Sequence, residues 1–303
     1  MEYALETRSM SKSYGRFKAL DRLDIHVPVG SIYGLVGRNG AGKTTLIRIV
    51  CGLQKQTSGD FILYGVPSGG RIEKARGRLG AVVETPSIYS DMTARDNLRM
   101  QYRILGLPSE EDIDEILELV GLANTGRKKA GHFSLGMRQR LGIAVALAGS
   151  PDMLILDEPI NGLDPQGIIE IRELILKLNR EMGITVLVSS HNLDELSRIA
   201  THYGFINEGH TVREISAQEL DKACRRCMRV VVSNMPALCR VLDEGGIDYT
   251  VCSATEAEIY ARIGVSRLSS KLSEAGCELI AVQEAEESLE SYYMNLMGGA
   301  ANE

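Results

Sequence analysis

The residues best equipped for chemistry form one run, Gly37-Arg38-Asn39-Gly40-Ala41-Gly42-Lys43-Thr44-Thr45. Its spacing is G-x-x-x-x-G-K-T. Glycines let a backbone fold into a concave nest with no β-carbon in the way. Consecutive N–H groups then point inward at phosphate oxygens. An apolar stretch, Ser31 to Val36, precedes the run and predicts a strand. Thr44 to Val50 predicts a helix, whose N-terminus also favours an anion. In such a loop Lys43 would reach the β- and γ-phosphates. The Thr44 hydroxyl would hold Mg²⁺, and Thr45 would bond near the α-phosphate. A match to this eight-residue pattern between a strand and a helix weighs against a chance glycine-rich turn.

Other candidates lie along the chain. Tyr14 precedes Lys43 by 29 residues, and its ring could stack on a purine, although alone it reads better as an ordinary loop tyrosine. Met153-Leu154-Ile155-Leu156 is a continuous apolar run, as in a strand buried on both faces. It leads straight into Asp157-Glu158-Pro159, two carboxylates at the strand end where α/β sheets hold ligands. Ile184 to Val188 predicts a second buried strand, ending at Ser189-Ser190-His191.

The elements that must position these groups can be read in order. Leu23-Asp24-Ile25-His26-Val27 alternates as a strand, and Pro28-Val29-Gly30 turns into Ser31. Strands are expected at Gly59–Tyr64 and Leu79–Val83, followed by a loop containing Glu84 and Pro86. Thr93, with Asp96 three residues on, predicts a capped helix to Ile104, stopped by Gly106 and Pro108. Ser109 is expected to cap a second helix through Val120, with Gly121 beyond it. Ser134 is expected to cap a long apolar helix reaching Gly149. Asn161-Gly162-Leu163-Asp164-Pro165 leads into a helix from Gln166 to Glu181, and another helix is expected near Leu193 to Ala200.

Bulk properties bound the reading. The 303 residues suit one large or two moderate domains, and 44% hydrophobic content permits a full core. Mean hydropathy is −0.06. The most apolar long run, Leu141 to Gly149, is about half the ~20 residues that span a bilayer. The start, MEYALETRSM, has neither the basic nor the apolar region of a signal peptide. The net charge is −6, and the acidic excess lies after residue 214, which argues against a nucleic-acid footprint. The run Arg127-Lys128-Lys129 reads as a solvated loop. Of six cysteines, Cys224 and Cys227 form a C-x-x-C without the second pair that a zinc site needs, and all six read as free thiols.

After residue 214 the pattern becomes strand 229–233, helix 236–244, strands 247–252 and 257–261, helix 266–275, strand 278–283 and helix 286–297. That β-α-β-β-α-β order resembles the ferredoxin-like arrangement. No chemical motif or internal repeat accompanies it.

With Ser134-Leu135-Gly136 between the phosphate loop and Leu154-Ile155-Leu156-Asp157-Glu158-Pro159, residues 1 to about 214 resemble the nucleotide-binding subunit of an ATP-binding cassette (ABC) transporter. The resemblance implies an α/β fold: an ABC-type P-loop ATPase core with an antiparallel β subdomain and a helical subdomain at about 90–150. The small α+β domain over 215–303 would be an accessory. It implies ATP and Mg²⁺ as cofactors, bound by residues 37–45, with Tyr14 at the purine. Asp157 would hold Mg²⁺ through water beside Thr44. Glu158 would orient or deprotonate the attacking water, and His191 would contact it and the γ-phosphate. Ser134 and Gly136 would close the site of a second copy, and Asp164 would couple the two sites across the seam.

Two departures from the family pattern narrow the resemblance. The usual L-S-G-G-Q reads Phe133-Ser134-Leu135-Gly136-Met137, and Glu84 stands where most members carry Gln, offering the metal a charged oxygen. With Asn161-Gly162-Leu163-Asp164-Pro165 and Ser288-Leu289-Glu290-Ser291-Tyr292-Tyr293, they resemble the branch that exports bacitracin and lantibiotic-type antimicrobial peptides, and related ABC-2-type exporters. The implied partners are an integral membrane permease and a second nucleotide-binding subunit, a homodimer, with no nucleic acid. The implied place is cytoplasmic, peripheral on the inner face of the cell membrane through that permease. The competing reading is a soluble ABC ATPase acting on ribosomes or DNA, but such proteins usually carry two cassettes, coiled-coil insertions or basic arms. A small-molecule kinase would have no use for Ser134, Gly136 or His191.

Overall fold

The computed structural model describes residues 2–223, 227–260, 263–285, 292, 293 and 296. The chain divides into two compact units, Met1–Ala217 and Gln218–Glu303.

The first unit holds two sheets. Five strands make the antiparallel one: β1 (Tyr3–Tyr14), β2 (Phe17–Leu23), β3 (His26–Pro28), β5 (Ser58–Leu63) and β6 (Val66–Pro67). The strand expected over Leu23–Val27 is broken between β2 and β3. Side chains take over the ladder there: the Thr7 hydroxyl donates to Leu23 O and accepts from Ile25 N, and Asp24 accepts from Ser9 N. The second sheet has six strands: β4 (Ile32–Val36), β7 (Leu79–Val82), β8 (Met153–Asp157), β9 (Thr185–Ser190), β10 (His202–Asn207) and β11 (His210–Ser216). Their order is β11-β10-β4-β9-β8-β7, parallel except for the edge strand β11. Glu214 on β11 bonds to Tyr33 Oη at 2.5 Å and His26 Nδ1 at 2.7 Å, tying that edge to β4 and β3.

Helix α1 (Lys43–Val50) lies between the sheets. Its Leu46, Ile47, Ile49 and Val50 share one buried cluster with Leu5, Leu23, Phe61 and Leu63 on one side and Leu35, Ile155 and Leu187 on the other. Burying such a side chain contributes about 1.5–3 kcal/mol, so the helix that opens at the phosphate loop is anchored along its length. The short α2 (Ile72–Arg76) precedes β7.

A helical region follows β7. Thr93 caps α3 (Ala94–Leu105) by accepting from Asp96 N, and Gly106 ends it in the left-handed conformation, both as expected. Helix α4 spans Ile113–Leu119 and starts later than expected. The Ser109 hydroxyl accepts from Glu111 N, forming a local turn instead of a cap, and Asp112 takes the cap position. Ser134 caps α5 (Leu135–Leu147), accepting from Met137 N at 3.2 Å. A β-carbon at Gly142 of α5 would meet the Pro86 side chain at 2.6 Å, so only glycine lets the loop after β7 pack this closely. The unit closes with α6 (Pro165–Met182), capped by Asp164, and α7 (Leu193–Ser197), capped by Asn192.

Helix α8 (Ala217–Ala223) leads into the second unit. Strands β12 (Cys227–Val232), β13 (Tyr249–Val251), β14 (Glu256–Ile259) and β15 (Leu279–Ala285) form an antiparallel sheet in the order β13-β14-β12-β15. Helices α9 (Met235–Glu244) and α10 (Val265–Glu274) pack on it through Leu238, Leu242, Leu268 and Leu272, against Val230, Val232 and Ile259. This is the ferredoxin-like arrangement. Of the helix expected over 286–297, only Tyr292, Tyr293 and Leu296 are among the described residues, and Cys224, Arg225 and Arg226 lie outside them. Cys51, Cys239, Cys252 and Cys277 are free thiols. No helix among the described residues is long and apolar enough to cross a membrane.

Candidate nucleotide-binding site

Sheet register builds the site. Parallel pairing sets Leu35 beside Ser189 and Ser189 beside Asp157, with Val82 one strand further at the level of Leu156. The loop after β4, both carboxylates after β8, His191 after β9 and Glu84 after β7 therefore leave the sheet at one edge. That is where parallel α/β sheets hold their ligands.

The loop from Gly37 to Gly42 enters α1 through Gly42, at φ 108 and ψ −2, a conformation open only to glycine. No side chain caps α1, and no acidic residue lies in its first turn. Helices α3, α5, α6 and α7 spend a Thr, Ser, Asp or Asn side chain on those first N–H groups. In α1 they stay available to an anion. Arg38, Asn39 and Gly40 are exposed, Ala41 is buried, and Thr44 and Thr45 are half-buried.

Lys43 is 5% exposed. Its Nζ donates to Gly37 O at 2.6 Å and lies 3.2 Å from Glu158 Oε1. The other Glu158 oxygen is 2.9 Å from His191 Nδ1. Lys43, Glu158 and His191 thus form one chain of charge-assisted contacts. Glu158 itself has a positive φ of 48, uncommon for a residue with a side chain and a mark of strained functional positions. Asp157 is 1% exposed, and Ser189 Oγ donates to its Oδ1 at 2.6 Å. The same hydroxyl accepts from Glu158 N at 2.9 Å. Ser189 therefore orients both acidic residues. Sequence reasoning gave it no role; its signal was the place of Ser189-Ser190-His191 at the end of a predicted strand.

Glu84 is engaged elsewhere, with Oε1 accepting from Arg48 Nη2 at 2.5 Å. Arg48 was also missed, because the pair spans 36 positions of sequence. Tyr14 is 45% exposed at the end of β1, with its hydroxyl on Gln54 and Lys12 Nζ 5.1 Å above its ring. Ser134 and Asp164 each cap their own helix, Asp164 Oδ1 accepting from Gly167 N at 3.1 Å. Gly136 stands beside Leu163 and Gly167, which puts Ser134, Gly136 and Asp164 together. Among the described residues no hydrogen bond or ion pair joins that group to Lys43, Glu158 or His191.

The arrangement can do specific chemistry. A nest and a buried lysine bind and neutralise phosphates, and a carboxylate beside a histidine can accept a proton from water. A metal is a separate question. Among the described residues no three His, Cys, Asp or Glu side chains converge to hold one alone. Mg²⁺ carried in on phosphates needs only one or two carboxylates, and Asp157, held through Oδ1 by Ser189 at the strand end, is one that the site supplies.

Known proteins resemble the chain as a whole. A family model described as "ABC transporter" matches residues 20–161. The bacitracin transport ATP-binding protein BcrA of Bacillus licheniformis is 40% identical over 302 residues, 99% of either chain. The lantibiotic transport ATP-binding protein SrtF of Streptococcus pyogenes is 42% identical over 210 residues, 69% of this chain and 90% of that one. Among solved structures, the ADP conformation of an ATP-binding cassette of an ABC transporter aligns with a TM-score of 0.66 and 29% identity, over 74% of this chain and 94% of that chain. A dimeric bacterial ABC transporter cassette aligns at 0.64 and 25% identity, over 70% and 98%. The chain belongs to the ABC transporter family, as an ATP-binding subunit that hydrolyses ATP.

Proposed function

We propose that this ATPase drives export of an antimicrobial peptide of the bacitracin or lantibiotic kind through separate integral membrane subunits, on whose cytoplasmic face it sits. One observation carries the reading. The match to the bacitracin transport ATP-binding protein runs through 99% of both chains, so it includes the second unit as well as the cassette. The shorter lantibiotic relative supports the same cargo class.

Within the site, ATP phosphates lie in the nest of residues 37–45, with the purine at Tyr14. Lys43 exchanges Glu158 for phosphate oxygens. Glu158 is then free to orient water and take its proton, and His191 holds Glu158 from the far side. Thr44, Asp157 and Glu84 would hold Mg²⁺, which would neutralise charge on the phosphates. Ser189, bonded to Asp157 Oδ1, would keep that carboxylate oriented for the metal. Ser134 and Gly136 of a second copy complete each site, and Asp164 couples the two. The dimeric cassette among the similar structures supports such a pair. Two identical chains would meet in an isologous two-fold interface. ATP then favours closure because only the closed pair contacts it from both sides. The Glu84 loop, packed on α5 through Pro86 and Gly142, is suited to pass closure to the membrane subunit.

The test is affinity purification of the tagged full-length chain from its native membranes. Recovery of an integral membrane protein, and loss of bacitracin or lantibiotic resistance when the chain is deleted, are expected. Recovery with ribosomes or DNA, and no membrane protein, contradicts the reading.

A further inference from the structure

The oxygen that Glu84 offers is already in use. Arg48 Nη2 sits 2.5 Å from Glu84 Oε1. Arg48 lies four residues after Thr44 on α1, so the two side chains stand on one face of the same helix. Glu84 has a φ of 61, uncommon for a residue with a side chain. Its loop is held by Pro86 against Gly142 of α5. Both ends of the pair are therefore carried by anchored elements. The contact itself is open to water, the side chains being 33% and 55% exposed, so it can be exchanged for another cation.

We propose that Arg48 is a positioning residue for the metal end of the site. It competes with Mg²⁺ for the Glu84 carboxylate, and the pair sets the Mg²⁺ concentration at which nucleotide is held. A carboxylate paired to a guanidinium presents less net charge to a second cation. Arg48 thus offsets the extra negative charge that Glu84 brings where a neutral glutamine would bring none. The inference rests on the metal role proposed above for Glu84. The sign follows directly. Removing Arg48 frees a carboxylate and deletes a nearby positive charge, and both changes favour a divalent cation.

The test is a Mg²⁺ titration of binding of the non-hydrolysable β,γ-imido analogue of ATP to the full-length chain, followed by calorimetry. Arg48→Gln should lower the half-saturating Mg²⁺ concentration about two- to fivefold, the range an exposed ion pair yields. Arg48→Lys, which keeps the charge without the fork, should shift it less. In a Glu84→Gln background the effect of Arg48→Gln should shrink. An unchanged midpoint in Arg48→Gln, or an equal shift in both backgrounds, overturns the proposal. If the unaltered chain binds the analogue equally with and without Mg²⁺, the metal assignment itself fails, and the proposal with it.

Discussion

Lys43 Nζ and Glu158 Oε1 lie 3.2 Å apart, so the lysine proposed to bind phosphate and the proposed base are each other's ion-pair partner. Both are largely withdrawn from water, at 6% and 20% side-chain exposure. While Oε1 is engaged by Lys43, and the other oxygen by His191, Glu158 has no oxygen left over for a water molecule. Phosphate oxygens that draw Lys43 away would both bind the nucleotide and release the base. In the proposed mechanism the pairing would keep Glu158 engaged until nucleotide arrives.

Lys43→Ala is expected to weaken nucleotide binding about 30-fold or more, since hydrogen bonds to charged groups contribute about 1.5–3 kcal/mol and the neutralising charge is lost with them. Calorimetric titration with the imido analogue checks this. An affinity equal to that of the unaltered chain would contradict the assignment of Lys43.

Ser189→Ala removes one hydroxyl that donates to Asp157 and accepts from Glu158 N. A buried carboxylate is then left without its partner, at a cost of about 1–3 kcal/mol in stability. Urea unfolding should show that loss. Turnover should fall by more than nucleotide affinity does, because Asp157 and Glu158 lose orientation while Lys43 and the loop stay intact. Equal falls in both would assign Ser189 a general structural role.

Cys51 ends α1 and is a free thiol. Burial pushes its pKa up to about 12; Arg76 opposes the shift and Asp157 adds to it. In the native protein at pH 8 it should resist thiol reagents that modify the exposed Cys252, and it should react in urea. The linkage has a definite sign. An unfolded thiol ionises near its ordinary value of 9.0 while the folded one stays protonated. The Cys51 contribution is therefore flat below about pH 9 and turns against the folded state as pH rises toward about 12. Cys51→Ala should flatten that alkaline loss; an identical pH profile would contradict it.

Much of this was legible because it is local. The glycine spacing before Lys43, the apolar run into Asp157 and the caps at Thr93 and Ser134 each depend on neighbours within a few residues, and the structure forms them. Ser109 misled because a serine can bond its own turn as easily as a helix end. The break between β2 and β3 was hidden for a related reason, since Thr7 reaches across from β1 to replace ladder bonds. Arg48 on Glu84, and Ser189 beneath two carboxylates, depend on sheet order. Alternation and capping signals carry no information about which strands are neighbours.

Glu158 is the residue proposed to turn a bound nucleotide into a hydrolysed one. The most direct measurement is single-turnover hydrolysis of Mg·ATP by the purified full-length chain and by Glu158→Gln, with binding of the imido analogue measured alongside. Glu158→Gln should bind the analogue as tightly as the unaltered chain, or more tightly now that Lys43 has no charged competitor. Cleavage should slow about 10²–10⁴-fold, the span of a positioned general base; that result supports the role of Glu158. Undiminished cleavage in Glu158→Gln would contradict it.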